Sequence, residues 1–227
     1  MNLRPELKIF QKIPFLDSNP FAPKQLVSES WEDRRHILER DMNLFCWRRP
    51  VNESINNYLE KLLENDLPTI RFHTQIDNLE EQIKKVKVNW GFETNEASEL
   101  FWMDVLQLSK DFLTFSKDRS GIVHLKVISD DACRKFHIDG YSLRLFSTYY
   151  GKGTEWLPEK AVNRSGLGKT NKLIVKDSSL IQRMNAFDVG ILKGELPSMT
   201  KRVKGIVHRS PQINEVGEKR IILRIDI

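Results

Sequence analysis

Two cysteines in 227 residues, Cys46 and Cys133, are too few and too far apart for a disulfide framework or a cysteine metal cage. Both are expected as reduced packing residues. No apolar run approaches the roughly 20 residues that a membrane-spanning helix needs, and the opening MNLRPELKIFQKIPF has prolines and charges where a secretory leader needs an apolar stretch. A cytoplasmic chain with no membrane partner is the expectation. Blocks of one charge are missing too, because 36 Lys and Arg are scattered among 31 Asp and Glu. The net charge of +5 permits an anionic partner, yet no stripe marks a track for nucleic acid. There is no internal repeat.

What remains is an ordinary globular composition, 40% apolar and 30% charged, of a length that fits one compact domain over residues 1–227. Pro5, Pro14, Pro20 and Pro23 read as an extended arm laid over the body. VNESINNYLEKLLEN places Ile55, Tyr58, Leu59, Leu62 and Leu63 at helical spacing behind Asn52 as N-cap. DNLEEQIKKVKV opens with a capping-box pattern, Asp77 then Glu80, and NEASELFWMDVLQLSKDFL repeats apolar residues at 97, 101, 105, 108 and 112. Residues 1–120 are thus arm and mostly helical support. From Gly121 the texture changes to short β-type runs, GIVHLKVI, YSLRLFSTYY, KLIVK, DVGILKG, KGIVH and RIILRIDI, split by Gly, Pro, Asn and Asp. This predicts an α+β chain: an antiparallel sandwich or barrel over 121–227, with the helices packed on its outside.

Within CRKFHIDGYSLRLFSTYYGKGTEW, His137 and Asp139 are two residues apart, so on a strand both side chains reach one side. A third ligand is available in His208 of KGIVHRSP, at the end of another strand-like run. Two imidazoles and one carboxylate on one side of an ion make the facial triad of non-haem Fe(II) oxygenases, and the same ligands could hold zinc. RIILRIDI supplies a two-faced strand, with Ile221, Leu223, Ile225 and Ile227 alternating with Arg220, Ile222, Arg224 and Asp226. A guanidinium pointing into a small barrel needs a partner, and the carboxylate of a 2-oxoacid cosubstrate would match its planar fork.

RLFSTYYGKGTEW is similar to the segment that follows His-x-Asp in prolyl-hydroxylase-like 2-oxoglutarate oxygenases, and VHRSPQINEVGEKRIILRI resembles their distal segment, where a basic residue follows the histidine within a strand. FHIDGYSLRLFSTYYGKGTEWLPE, GILKGE and IVHRSP more closely resemble the bacterial family known as domain of unknown function 1826. The resemblance implies a double-stranded β-helix, the jelly-roll or cupin-like barrel. It implies an Fe(II)- and 2-oxoglutarate-dependent oxygenase of the hydroxylase type, with His137, Asp139 and His208 as metal ligands and Arg220 as anchor of the cosubstrate's far carboxylate. Arg224 stands in reserve for that role; Tyr141, Thr148 and Tyr149 are pocket candidates, although strand parity places Thr148 opposite His137 if the strand runs unbroken through Gly140. The alternative is a non-catalytic cupin-like protein binding zinc or another divalent ion. The substrate, small molecule or macromolecule, is not named by any motif.

NRSGLGKT, residues 163–170, lacks the first glycine of a phosphate loop and no buried strand precedes it. It reads as a flexible basic loop, with Arg164, Lys169 and Lys172 suited to a lid. His73 and His124 are expected to satisfy local hydrogen bonds rather than to ligate. Trp90, Trp102 and Trp156 are expected to fill the core or a pocket wall.

Overall fold

The computed structural model describes residues 22–65, 67–90, 94–130, 133–196, 203–213 and 217–227. The N-terminal arm around Pro5, Pro14 and Pro20, and the Trp90 side chain, lie outside the described residues. In chain order the elements are β1 (Lys24–Ser28), β2 (Met42–Trp47), α1 (Glu53–Leu62), β3 (Ile70–Gln75), α2 (Leu79–Trp90), α3 (Glu96–Leu113), β4 (Ser120–Ile128), β5 (Leu143–Tyr150), β6 (Glu155–Leu157), α4 (Asn171–Ile174), β7 (Gln182–Arg183), β8 (Val189–Lys193), β9 (Val207–Arg209) and β10 (Arg220–Asp226), with short 3-10 turns between. Seven strands form a large sheet in the order β1-β2-β8-β5-β10-β4-β3, and three form a small one, β7-β6-β9. Among the described residues only β1 and β2 pair in parallel. Among the described residues no helix is long and apolar enough to cross a membrane.

The large sheet is two-faced because side chains alternate along every strand. One row runs across six strands, Phe45, Ile191, Leu145, Ile225, Val123 and Phe72, each opposite the next in register. These residues share one core with Ile55, Tyr58 and Leu59 of α1, Ile83 of α2, and Phe101, Val105, Leu108 and Phe112 of α3. Each such side chain stabilises the fold by about 1.5–3 kcal/mol through the apolar surface it removes from water. The opposite face changes character along its width. At β2 and β8 it is apolar, Leu44, Cys46 and Leu192 packing on Trp156 of the small sheet and on Met184. At β5, β10 and β4 it carries Arg144, Asp226, Arg224 and His124.

The helices begin where the side chains allow. Asn52 accepts from the Ile55 amide at α1, and Asn95 and Ser98 cap α3 reciprocally. At α2 the Asp77 and Glu80 pairing is out of register, because the helix starts at Leu79 and its cap position falls on Asn78.

Two expectations are corrected. Within residues 1–120, expected as arm and mostly helical support, the described residues also supply β1, β2 and β3 to the large sheet. MNLFCW is almost wholly buried, so it has no alternation to betray a strand. KLIVK, expected as a strand, contributes instead to α4, with only a Val162–Val175 bridge beyond it.

Candidate metal centre

His137 lies in a one-residue antiparallel bridge to His208, the backbone of each donating to the other at 2.9 and 3.0 Å. That bridge extends the small sheet by one residue beyond β9 and sets the two imidazoles side by side, ring centroids 4.6 Å apart. Asp139 follows on a backbone clamped by the chain after β8, where the Glu195 amide donates to the Asp139 carbonyl at 2.8 Å. Gly194 makes the clamp possible: a methyl there would sit 2.4 Å from the Asp139 carbonyl oxygen.

His137, Asp139 and His208 each offer one ligand atom, and these lie within 4.8 Å of one another. The Nδ1 of His137 lies 2.9 Å from the Lys135 carbonyl and that of His208 lies 3.3 Å from the Ile206 carbonyl. A carbonyl can only accept, so both Nδ1 atoms carry hydrogen, and a ring without a second proton turns its Nε2 lone pair inward. His137 Nε2 is 3.6 Å from Asp139 Oδ1, and His208 Nε2 is 3.3 Å from Oδ2. Oδ2 is buried and no hydrogen-bond donor reaches it. Three acceptors facing one another repel unless something positive stands between them. Burial works to raise the Asp139 pKa, but hydrogen bonds from Nε2–H of His137 and His208 in their protonated forms, with the Arg144 charge, hold it well below the usual carboxylate range; a cation at the same place would do what those protons do. For His137, burial favours the neutral ring and is outweighed by Asp139 and the Lys135 carbonyl, so its pKa is raised.

The side of the large sheet that faces the His137, Asp139 and His208 cluster is a charged floor. Arg144 pairs with Asp139 Oδ1 at 2.5 Å and with Asp226, and Arg224 Nε approaches Asp226 at 3.2 Å while its Nη2 lies 3.0 Å from His124. Arg220 differs from these. It is fully buried, its one hydrogen bond goes to Thr148 Oγ1 at 3.3 Å, and Nε and Nη1 have no acceptor. Burial pushes its pKa down to about 10, and Glu155 pulls weakly the other way.

The remaining sequence candidates separate cleanly. Thr148 stands on the same face as Arg144 and Arg220, the face turned to the His137, Asp139 and His208 cluster, because the chain bends between Asp139 and the start of β5 at Leu143 and the parity count does not carry through. Tyr141 stacks on the Arg144 guanidinium, 4.4 Å from its ring centroid. Tyr149 is not in the pocket. Its parity in β5 sends it to the helical face, where its hydroxyl donates to Asp104 at 2.5 Å and its ring packs on Phe101 and Phe187. His124 is buried against Arg224 and Asp226, and His73 is exposed; neither joins the triad.

Residues 163–170 form a tied turn rather than an open loop. Arg164 binds both oxygens of Glu159 and the Gly205 carbonyl, and the Asn163 amide donates to the Ile174 carbonyl at 2.7 Å. Asn171, just beyond, receives the Phe136 amide at 2.8 Å and donates to the Arg134 carbonyl at 3.0 Å, so it braces the segment that ends in His137. Sequence reading missed Asn171 and Arg144. Arg144 was findable, since it shares parity in β5 with Thr148; Asn171 carries no signal in the sequence.

No curated protein matches the sequence. Among solved structures, the dioxygenase for auxin oxidation of rice superposes with a TM-score of 0.50 at 9% identity, over 85% of this chain and 76% of that one. The corresponding Arabidopsis thaliana protein, in its 2-oxoglutarate complex, gives 0.48 at 9% identity over 90% and 91%. At such identity the rice likeness is one of fold, an oxygenase-type arrangement of a large mixed sheet with helices. The sequence itself places the chain more narrowly: the family described as protein of unknown function (DUF1826) matches residues 28–226, and this chain belongs to it.

Proposed function

We propose that this protein is an Fe(II)- and 2-oxoglutarate-dependent oxygenase of the hydroxylase type, built on a double-stranded β-helix. The observation that carries the reading is the pairing of two incomplete sites on one sheet face. Ligand atoms of His137, Asp139 and His208 converge to within 4.8 Å, with the buried Asp139 Oδ2 without a donor, and the buried guanidinium of Arg220 has Nε and Nη1 without an acceptor. A divalent ion fits the first because two imidazoles and a carboxylate leave coordination positions open on one side. A carboxylate fits the second, since the guanidinium has four of its five donor hydrogens unspent in a dry setting.

Bound together, iron and the 2-oxoacid supply oxidative chemistry, in which dioxygen is reduced as the 2-oxoacid loses carbon dioxide and a substrate C–H bond is hydroxylated. The chain's part is to bind and orient. Lys135 and Ile206 carbonyls fix the two imidazoles, Arg220 and Thr148 take the far carboxylate, and Phe146, its ring centroid 5.9 Å from that of His208, helps to exclude water. Arg220 is favoured over Arg224 for the anchor, because Asp226 already engages Arg224. A non-catalytic zinc protein would leave the Arg220 donors unexplained.

Anaerobic addition of Fe(II) and 2-oxoglutarate to the full chain tests this. The expected result is a weak visible charge-transfer band that Asp139→Ala abolishes along with metal binding. Zinc held tightly without any 2-oxoglutarate affinity would overturn the reading.

A further inference from the structure

We propose that Arg144 is a positioning residue that tells the two oxygens of Asp139 apart, holding Oδ1 so that Oδ2 alone is presented to the cation. The inference rests on the metal-site reading above and adds how the carboxylate ligates. Its basis is the unequal treatment of the two oxygens. Oδ1 receives Arg144 Nη1 at 2.5 Å, whereas Oδ2, buried and facing His208, receives no donor. A carboxylate could otherwise rotate and grip a divalent ion through both oxygens, using a position that a cosubstrate needs.

Arg144 is held tightly enough to do this. Its side chain is 8% exposed and is fixed on four sides. Asp226 binds Nε from behind, Asp139 binds Nη1 in front, and the guanidinium carbon lies 4.4 Å from the Tyr141 ring centroid and 5.5 Å from that of Phe146. Asp226 is itself secured, since Arg224 and His124 approach its second oxygen at 3.2 and 3.5 Å. The register explains how one residue meets both carboxylates: Arg144 is directly opposite Asp226 on β10, and the 139–143 bend brings Asp139 over it. For Oδ1 to reach the cation, Arg144 would have to release a charge-assisted bond while still pinned by Asp226. Arginine is suited to this task and lysine is not, because only a planar fork serves two acceptors in fixed directions.

The test reads the carboxylate directly. In protein labelled with 13C-aspartate, the infrared difference between Zn(II)-loaded and apo chain isolates the ligating carboxylate, and Asp139→Ala assigns it. One-oxygen ligation gives a wide separation between antisymmetric and symmetric stretches; two-oxygen ligation narrows it. Wild type is expected to show the wide separation and Arg144→Met the narrowed one, with zinc still bound. Should Arg144→Met fail to fold, Arg144→Lys keeps a charge between the carboxylates without the fork and is expected to narrow the separation too. A wide separation retained in a folded, zinc-loaded variant overturns the proposal while leaving the metal site intact. Absence of any zinc-dependent carboxylate band in wild type overturns the metal-site reading itself.

Discussion

Replacing Arg220 with methionine is expected to make the ligand-free protein more stable while removing its affinity for 2-oxoglutarate. The guanidinium is fully buried with one hydrogen bond, to the Thr148 hydroxyl, and burial pushes its pKa from the ordinary arginine range down to about 10. At about 1.4 kcal/mol per pKa unit, holding that charge inside costs the apo fold roughly 3 kcal/mol at neutral pH. Losing the Thr148 hydrogen bond gives back about 1 kcal/mol, which leaves a net gain of roughly 2 kcal/mol for an apolar side chain of similar length. For a chain of this size that is a rise in Tm of about 4–8 °C. The sign in pH is fixed by the same shift. Between pH of about 10 and 12.5 the unfolded chain keeps the proton that the folded one has released, so wild type recovers the deficit there and its gap to the variant closes. Binding should move the opposite way, since truncating one partner of a buried charge pair costs about 2–5 kcal/mol, roughly 30-fold or more in Kd. Calorimetric melts of both proteins, with and without metal and 2-oxoglutarate, measure all of this. A variant that melts below wild type and still binds the cosubstrate would refute the reasoning.

Tyr149→Phe separates the helical face from the site. It deletes one bond to Asp104, which Arg49 still engages through both oxygens; the expected outcome is a loss of about 1–3 kcal/mol in thermal melts with 2-oxoglutarate affinity unchanged, and a fall in affinity would return Tyr149 to the pocket. Asn171→Ala should cost a similar amount by leaving the Phe136 amide and the Arg134 carbonyl unpaired. Because those groups fix the strand that presents His137, Fe(II) affinity measured by anaerobic titration should fall with it, and unchanged affinity would confine Asn171 to a structural role.

Legibility in the sequence followed the length scale of each interaction. β10 was readable because its alternation is local: Ile221, Leu223 and Ile225 enter the helical core while Arg220, Arg224 and Asp226 take the other face. The clustering of His137, Asp139 and His208 was readable because the first two stand two residues apart just ahead of β5 and the third sits in a strand-like run of its own, β9. β2 was not, since the strand is covered on both faces and MNLFCW shows no period. The pocket residues failed for another reason. Parity counted from His137 is broken by the 140–142 bend, so it exchanged the sides of Thr148 and Tyr149. Asn171 lies 34 residues beyond His137 in the chain and acts through backbone groups, and nothing local announces such a contact.

The arrangement explains how one thin sheet can serve stability and chemistry without conflict. Apolar burial is met by Leu143, Leu145 and Tyr149 of β5 and Ile221, Leu223 and Ile225 of β10, all odd-numbered, and the helices supply the other half of that core. The even-numbered residues are then free to carry charge, provided each charge finds a partner across the 4.8 Å or so between strands. Arg144 opposite Asp226, and Arg224 beside both Asp226 and His124, meet that condition within the chain. Among the described residues Arg220 has no acceptor at Nε or Nη1, and Asp139, though paired with Arg144 through Oδ1, has no hydrogen-bond donor at Oδ2. A buried guanidinium without a carboxylate costs the fold free energy that an anionic ligand would offset, which is why the proposed cosubstrate anchor falls on Arg220 and not on its paired neighbours.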